Sequence, residues 1–411
     1  MMESANLQRG IQLFEIGRYK EAIPYFKSAI SEDTDDFYAK FLLANCLFQT
    51  DAIDKAFHLT LELRRVQPNN GDVYFLLSQL YLHKEDDKEA LMSINKAIEL
   101  NPYDENYFGQ KSYIYLYQKK YTEALDFANE GLRINAKSTF CLNARTTALT
   151  KLNRKDEVVD TISDLLNDNP ENAYSHANAG WSYLENNKTQ KALTHFKEAL
   201  KLNPNLEYAR SGMLTAVKSK NKIYNLYLRY AFWMSNKSQA NQWVFIIGIY
   251  LVYRFSIKAL SATGMTYLAI PLIIAYLLFA LGSWIMDPLS NMLLLFDKFG
   301  KFLLDEREKL TGQVMFGLLL ASLIMFLCSL VIAADGFVLM SLTFLAAILP
   351  LTRGFSSEKQ NPRLVNIAYG SLMILIALVG TLMGVPFGTI GLIVGIMFIA
   401  YTWLGNFISG L

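Results

Sequence analysis

Cysteine is scarce in this sequence: the 411 residues contain only Cys46, Cys141 and Cys328. The three lie far apart, and no two have the spacing of a metal-ligand motif. A scaffold held together by disulfides is therefore excluded, and we expect a protein of a reducing compartment. The first ten residues, MMESANLQRG, also lack the charged start and apolar run of a secretory signal, so we expect none.

Histidine is almost as rare and is confined to the first half of the chain, at His58, His83, His176 and His195. None forms a recognisable ligand motif with a cysteine, so packed or solvated histidines are expected rather than a metal site. Ser–His and zinc-protease chemistry have no histidine to use beyond residue 195. No glycine-rich phosphate loop is present either. The sequence predicts a protein that is not an enzyme and binds no cofactor. A membrane enzyme using only Asp, Ser and Tyr is an alternative.

Charge is thin in the second half of the chain. Residues 1–215 contain 25 Lys and Arg against 30 Asp and Glu, whereas residues 216–411 contain 14 against 7. This difference predicts a soluble domain over residues 1–215, followed by an apolar domain. The net acidity of the first domain disfavours nucleic acid as a partner.

One stretch, residues 173–206, gives the pattern of the first half: AYSHANAGWSYLENNKTQKALTHFKEALKLNPNL. Gly180 and Ala192 are small, as two closely crossing helices require, and Phe196 follows Ala192 at helical spacing. Pro204 ends the second helix. This pattern resembles the tetratricopeptide repeat, a helix–turn–helix unit with a period of 34 residues.

Five further units precede this stretch in the same register, at residues 3–36, 37–70, 71–104, 105–138 and 139–172. The last of them matches least well, because Val158 occupies the place of the small alanine. The resemblance implies an all-α fold that begins with an α-solenoid of about six helix–turn–helix repeats. It also implies that a protein or peptide partner binds in the concave groove.

The groove residues can be predicted from the register, because the first helices of such repeats line the concave face. Positions 2, 5 and 9 of the units combine aromatic rings with amides, which suit an extended peptide. Lys and Arg are absent there, so a clamp for a C-terminal carboxylate is not expected. The alternative is that several of the rings pack between helices. The predicted groove residues are Tyr38, Phe41, Asn45, Phe75, Gln79, Asn106, Tyr113, Phe140, Asn143, Tyr174 and Trp181.

Residues 216–241 are aromatic and basic, and they precede the first long apolar run. An amphipathic helix of this composition is typical of a membrane interface. The alternative is a cap that covers the end of the solenoid. The predicted interface residues are Lys218, Lys220, Lys222, Arg229, Tyr230 and Trp233.

Residues 242–411 predict a polytopic α-helical membrane domain of about six spans. Arg254 and Lys258 interrupt the first run, so whether 242–260 spans stays open. We further predict an amphipathic helix lying on the membrane surface at 287–312. Polar residues inside the runs are expected to be hydroxyls only. The six runs lie at about 242–260, 265–286, 313–333, 337–352, 365–384 and 389–409.

Lys and Arg are distributed unevenly between the two sides of these runs. Twelve lie on the side that carries the N-terminal domain and two on the other, which predicts that the solenoid and the C-terminus are in the cytoplasm. Glycines spaced by four at Gly380, Gly384 and Gly388, and at Gly391 and Gly395, allow close packing or a homo-oligomer.

Two functions are therefore open for the whole chain. The first is a membrane-anchored scaffold or adaptor that binds a protein or peptide partner in its groove and holds it at the cytoplasmic membrane. The second is a transport or lipid-handling membrane domain regulated by the repeats. The size of the membrane half keeps this second function open, because one helix would be enough for a tether.

Overall fold

The computed structural model describes residues 5–263, 265–297, 300–332 and 334–410. The chain forms two compact units, Met1–Met213 and Leu214–Leu411. The described residues are predominantly helical and contain no strand, so the all-α prediction is confirmed.

The first unit contains six pairs of antiparallel helices, with helices of 11–14 residues. From the second pair onward, the first helices begin at 34-residue intervals, and so do the second helices from α2 onward. The pairs are α1 (Ala5–Glu15) and α2 (Tyr19–Glu32), α3 (Phe37–Gln49) and α4 (Ile53–Val66), α5 (Gly71–His83) and α6 (Asp87–Leu100), α7 (Glu105–Tyr117) and α8 (Tyr121–Ile134), α9 (Thr139–Lys151) and α10 (Lys155–Asp168), and α11 (Ala173–Glu185) and α12 (Thr189–Leu202).

The turn inside each pair depends on one residue in the left-handed backbone region. At Asp51, φ is +62°, and two backbone hydrogen bonds close the end of α3: Asp51 N to Phe48 O at 3.1 Å and Ala52 N to Leu47 O at 2.8 Å. These bonds satisfy carbonyls that the helix end leaves free. The same conformation recurs every 34 residues, at Gly17, Asp51, Glu85, Lys119, Asn153 and Asn187. The six turns confirm the prediction of about six repeats.

The start of each first helix is fixed by a side chain that caps it. Asp36, for example, accepts a hydrogen bond from Ala39 N at 2.9 Å. Such a cap stabilises a helix by about 1 kcal/mol. The capping residues also recur at 34-residue intervals, at Asp36, Asn70, Asp104, Ser138 and Asn172.

Small residues allow the two helices of a pair to cross closely. A Cβ atom on Gly180 would lie 2.7 Å from the ring of Phe196, which is fully buried. Gly10 has the same relation to Phe26. Gly212, on the following helix, closes over the Phe196 ring in the same way. The spacing of small residue and aromatic ring that defines the repeat therefore has a direct steric cause.

Two helices follow the sixth pair: α13 (Glu207–Lys218) and α14 (Lys222–Ser235). The start of α13 continues the 34-residue spacing of the first helices, and α14 has the same length as the second helices. The sequence predicts that a seventh pair begins here and is not completed. The helix bounds instead correspond to a further pair in register, although the division between the two units falls within α13.

The second unit contains six helices long and apolar enough to cross a membrane. This confirms the expected number of apolar spans by length and composition. Within the unit, α17 packs on α18, α18 on α19, and α20 on both α18 and α19. The helices are α15 (Gln239–Ala262), α16 (Ala269–Leu295), α17 (Glu306–Ile332), α18 (Asp335–Ser356), α19 (Gln360–Leu382) and α20 (Phe387–Gly410).

The separate surface helix predicted at 287–312 is wrong for the described residues of that interval. The helix α16 runs on through Pro288 to Leu295, and α17 begins at Glu306. The apolar stripe that suggested a surface helix, including Leu289 and Met292, packs against the cluster of Met315 and Leu318. A Cβ on Gly312 would lie 2.9 Å from the backbone of α16, so the absence of a side chain there permits this contact.

We expect Gly17→Ala to weaken the first turn. Gly17 has φ +74°, and a Cβ atom there would meet nothing within 4 Å, so the cost is conformational and not steric. The cost should be about 1 kcal/mol, which lowers the midpoint of thermal unfolding of the solenoid by about 2–4 °C. Circular dichroism of the full-length protein in detergent measures this shift. Gly17→Asn is the matched control, because asparagine tolerates this region and should lose less. Equal losses in the two variants would contradict the conformational explanation.

Candidate functional site: an aromatic pocket on the first helices

A pocket of about 570 Å³ lies on the first helices of the repeats. Its volume falls in the range usual for ligand-binding pockets. Five helices contribute to it, α3, α5, α7, α9 and α11. The lining residues are Phe48, Gln79, Leu82, His83, Gln110, Tyr113, Thr139, Phe140, Asn143, Asn172 and Tyr174.

Aromatic rings from successive repeats form much of this lining. Tyr113 stacks on Phe140 with ring centroids 4.9 Å apart, and Tyr174 stacks on Tyr208 at 5.5 Å. Burial, with the neighbouring Tyr174 hydroxyl, raises the pKa of Tyr113 well above its ordinary value. Tyr113 therefore stays neutral at physiological pH. The lining includes no Lys, Arg, Asp or Glu. The pocket is thus aromatic and uncharged.

The amides of the pocket differ in how far they are already engaged. Asn143 is 3% exposed, and its Nδ2 donates to Thr139 O at 2.9 Å and to Ser175 Oγ at 3.1 Å. Its Oδ1 accepts from Asn178 Nδ2 at 3.0 Å. Asn172 caps α11 through Ser175 N. Both amides therefore serve mainly to hold the helices together, in contrast to Gln110, whose Nε2 is buried without a hydrogen-bond partner among the described residues.

A polar seam joins α9 to α11 below the pocket. Thr147 Oγ1 bonds Asn178 Oδ1 at 3.1 Å, Thr150 Oγ1 bonds Ser182 Oγ at 2.9 Å, and Lys151 pairs with Glu185 at 2.8 Å. These buried groups satisfy one another, as polar groups away from water must. The seam gives a physical reason for polar residues where an apolar contact is usual, in the unit at 139–172 that matches the repeat pattern least well.

Five of the predicted groove residues line the pocket: Gln79, Tyr113, Phe140, Asn143 and Tyr174. Tyr38 and Asn106 are exposed and lie outside it. Asn45 donates its amide to Phe41 O of its own helix at 2.9 Å.

Three predicted rings pack between helices, which is the alternative that the sequence left open. Phe41 packs against the cluster of Leu76 and Leu77. Phe75 lies beside Tyr107 with ring centroids 5.5 Å apart. Trp181 donates Nε1 to Tyr208 O at 3.1 Å and meets Phe196 edge to face.

Sequence reasoning missed six lining residues: Phe48, Leu82, His83, Gln110, Thr139 and Asn172. Phe48 and Leu82 occupy position 12 of their units, one turn beyond position 9 on the same helix face. Extending the register by that turn would have found both. Gln110 is at position 6, where the pattern gives no signal of exposure to a groove.

The predicted interface residues have mixed positions. Lys220, Lys222 and Arg229 are exposed, Tyr230 is partly exposed, and Trp233 is 45% exposed. Lys218 is a correction: it is 6% exposed, and its Nζ lies 3.6 Å from Asp287 Oδ1. Its charge is taken up by this carboxylate, so it does not lie at the surface as predicted.

The comparisons with known proteins concern the first half of the chain. Models of the tetratricopeptide repeat match residues 13–67, 71–104 and 173–206. The N-terminal half consists of tetratricopeptide repeats. This identification rests on the family models together with the six turns and caps at 34-residue spacing.

Individual proteins resemble parts of the repeat half. Anaphase-promoting complex subunit 3 of Dictyostelium discoideum is 29% identical over 90 residues, which are 22% of this chain and 9% of that protein. The chain thus spans about a tenth of that relative. The Cut9–Hcn1 hetero-tetramer of the APC/C is 19% identical, with a TM-score of 0.45, over 51% of this chain and 42% of that one.

Two smaller solved structures are also similar. YrrB, described as a tetratricopeptide-repeat protein with an unusual peptide-binding site, is 21% identical with a TM-score of 0.31, over 45% of this chain and 95% of that one. PilF of Pseudomonas aeruginosa is 16% identical with a TM-score of 0.39, over 50% and 94%.

A histidine pair lies inside the last tetratricopeptide repeat. His176 Nδ1 and His195 Nδ1 are 3.2 Å apart, His176 Nε2 lies 3.0 Å from Pro170 O, and His195 stacks on Tyr183 at 5.2 Å. Burial lowers the pKa of His195 to about 4, and the charges of His176 and Lys191 add to this effect. In the described part of the chain, no group of three or more His, Cys, Asp or Glu could hold a metal ion.

A second cavity, also of about 570 Å³, lies in the C-terminal unit. It is formed where the α17–α18 connection meets the α19–α20 connection. Asp335 is the one acidic residue of an otherwise largely apolar lining. The lining residues are Met325, Ala334, Asp335, Gly336, Phe337, Leu339, Met340, Leu378, Thr381, Leu382, Gly384, Val385, Phe387 and Ile390.

The apolar helices contain more than hydroxyls, contrary to the sequence expectation. Tyr401, which is fully buried, donates its hydroxyl to Asn366 Oδ1 at 2.6 Å, and Asn366 Nδ2 donates to Pro362 O at 2.8 Å. Arg353 lies over the Trp284 ring at 5.3 Å. Each helix continues beyond the apolar run read from the sequence, which brings these polar groups inside the packed unit.

We expect the repeat domain to lose stability as the pH falls from about 6.5 to about 4. In the unfolded chain His195 binds a proton near pH 6.5, whereas in the folded chain it stays neutral down to about pH 4. The unfolded state therefore binds more protons in this window and is favoured there. Urea unfolding at pH 7 and at about pH 4.5 should show a loss on the order of 1 kcal/mol that His195→Gln removes. His58→Gln, at an exposed site, should keep the full loss. An unchanged pH slope in His195→Gln would contradict the assignment.

Proposed function

We propose that the protein is a membrane-anchored scaffold or adaptor, which binds a protein or peptide partner on the first helices of its repeats. The aromatic, uncharged pocket that spans five of these helices is the observation that carries the proposal. Rings of Tyr113, Phe140 and Tyr174 offer contact area at little cost in side-chain entropy. A pocket of this kind suits a segment of polypeptide better than a charged metabolite or a nucleic acid.

Six apolar helices support the membrane part of the proposal. Of the most apolar window in each, between none and 22% is buried inside the protein, except in α18, where 56% is buried. Helices that expose long aliphatic faces cannot remain so in water, and a lipid bilayer is the natural environment for them. The charge distribution favours the cytoplasmic membrane, with the solenoid and the C-terminus in the cytoplasm.

The junction would contribute an interfacial contact. Lys220, Lys222 and Arg229 are exposed and can meet lipid phosphates, and Trp233 is partly exposed with Lys237 over its ring at 5.2 Å. Basic and aromatic residues together are typical of the headgroup region.

A homo-oligomer through α20 belongs to the same proposal. Gly388 and Gly395 lie seven residues apart, and a Cβ on either would meet nothing within 4 Å, so they offer a face to another helix. Gly380 differs, because it packs on Ile390 of the same chain.

The cavity beside Asp335 favours a second candidate function, lipid handling or transport with the repeats as a regulatory module. The cavity is large and mainly apolar, as a site for an acyl chain would be. We place this function second, because the repeat pocket offers several convergent polar and aromatic groups and the cavity offers one carboxylate.

Site-specific photocrosslinking in intact cells tests the scaffold function. A photoreactive phenylalanine analogue at Tyr174, 43% exposed in the pocket, should capture one protein reproducibly in the membrane fraction. The same analogue at Met92, which is 56% exposed on the second helix α6, is the matched control and should not capture it. Equal capture from both positions, or crosslinks to this chain alone, would favour the second function.

Cysteine labelling tests the orientation. Burial raises the pKa of Cys46 to about 12 and raises the pKa of Cys141, so neither thiol should react with a membrane-impermeant maleimide. In a Cys328→Ala background, we expect Ser357→Cys to be labelled only after permeabilisation and Val385→Cys to be labelled in intact cells. The reverse pattern would place the solenoid outside. Labelling of both only after permeabilisation would show that α19 does not cross the membrane.

A further inference from the structure

Gln110 has an amide that the protein itself leaves unsatisfied. It lies on α7, is 4% exposed, and its Nε2 has no hydrogen-bond partner among the described residues. A buried amide N–H without an acceptor lowers stability, and folded proteins contain few of them. Because the side chain of Gln110 lines the aromatic pocket, a bound molecule can supply the missing acceptor.

The surroundings of Gln110 limit the kind of acceptor. Tyr113 lies one turn further along α7 and stacks on Phe140, so the amide is next to a wall of rings. The lining offers no Lys or Arg to balance an anion and no Asp or Glu to balance a cation. His83 is half exposed, and its Nε2 lies 3.6 Å from Asp51 Oδ1. A charged group entering the pocket would lose its hydration without gaining a counter-charge, which is costly.

A peptide carbonyl meets these conditions. It is a strong neutral acceptor, and in an extended segment it is always close to a side chain. The pocket, at about 570 Å³, has the volume usual for a site that encloses a ligand of a few residues. A side-chain carboxylate or a lipid phosphate would bring charge, and a purely apolar ligand would leave Nε2 unpaired.

We propose that Gln110 Nε2 donates a hydrogen bond to a backbone carbonyl of an uncharged partner segment. A bulky apolar side chain next to that carbonyl lies against Tyr113, Phe140 and Tyr174. This inference rests on the proposed scaffold function and specifies the partner sequence that the pocket accepts: low charge, one large apolar anchor, and an extended backbone.

Gln110→Leu separates this role from a structural one. Leucine removes the unpaired donor, so we expect the midpoint of thermal unfolding to stay equal or rise, while peptide affinity falls. The expected loss of affinity is about three- to tenfold, as for one neutral hydrogen bond. A structural glutamine would lose stability instead. Gln110→Met is a second variant of the same length, in case leucine packs poorly.

The experiment uses the full-length protein in lipid nanodiscs and a phage-displayed library of random twelve-residue peptides as the probe. Selected peptides are synthesised with capped ends, and their binding is measured by fluorescence anisotropy. We expect the selected peptides to be uncharged and to share an aromatic or long aliphatic residue. Gln118→Leu is the matched control: Gln118 follows α7, its Oε1 is also buried without a partner among the described residues, and it does not line the pocket. It should leave affinity unchanged.

Thioamide substitution locates the acceptor. Replacing one peptide carbonyl oxygen after another by sulfur weakens a single acceptor at a time. One position should weaken binding to the wild-type protein and not to Gln110→Leu. Charged peptides, or equal affinity of wild-type and Gln110→Leu protein, would overturn the inference. The scaffold function would still stand if Phe140→Ala abolished binding. If no peptide were selected, or neither Phe140→Ala nor Gln110→Leu weakened binding, both would fail.

Discussion

The left-handed turn residue between paired helices is the constraint on which the repeat half depends. At each of the six turns one residue near φ +60° to +74° closes the end of the first helix and sends the chain back along it. Only one of the six is glycine, so most turns carry a conformational cost that the packing of the pair must offset. The close crossing at Gly180 and Phe196 shows how: two helices that meet without an intervening side chain bury a whole ring. Fixed turns and close crossings then repeat the same geometry every 34 residues.

This regularity leaves the first helices free to differ in chemistry. Their buried sides keep Leu, Ala and Gly, whereas other faces carry the rings, amides and hydroxyls that vary from repeat to repeat. Between α9 and α11 the variation has gone into a closed polar seam, in which Asn143, Asn178 and the threonines satisfy one another. Next to it, Gln110 lacks such a partner. The contrast between satisfied and unsatisfied amides distinguishes structural groups from groups suited to binding, since both kinds are equally buried.

The C-terminal unit follows a different rule. Its helices are apolar on nearly every face, so burial inside the protein does not decide which sides face one another. Close contacts form where a side chain is missing, as at Gly312 against α16 and Gly370 against Leu351. Polar contacts, such as Tyr401 with Asn366, add direction to the packing. A Gly, Tyr or Asn in this half therefore says more about packing than the many leucines do.

The sequence by itself determined the repeat half almost completely: the period, the small residues at the crossings, and the six units follow from local spacing. It also determined the number of long apolar helices, because their length and composition are properties of single segments. Only the tertiary structure decided which rings line the pocket and which pack in the core, since Phe41, Phe75 and Trp181 share register positions with Phe140 and Tyr174. It also decided that Lys218 is paired with Asp287, that α16 continues through Pro288, and that Gln110 is buried without a partner. These facts depend on contacts between residues distant in the chain, and a periodic pattern contains no information about them.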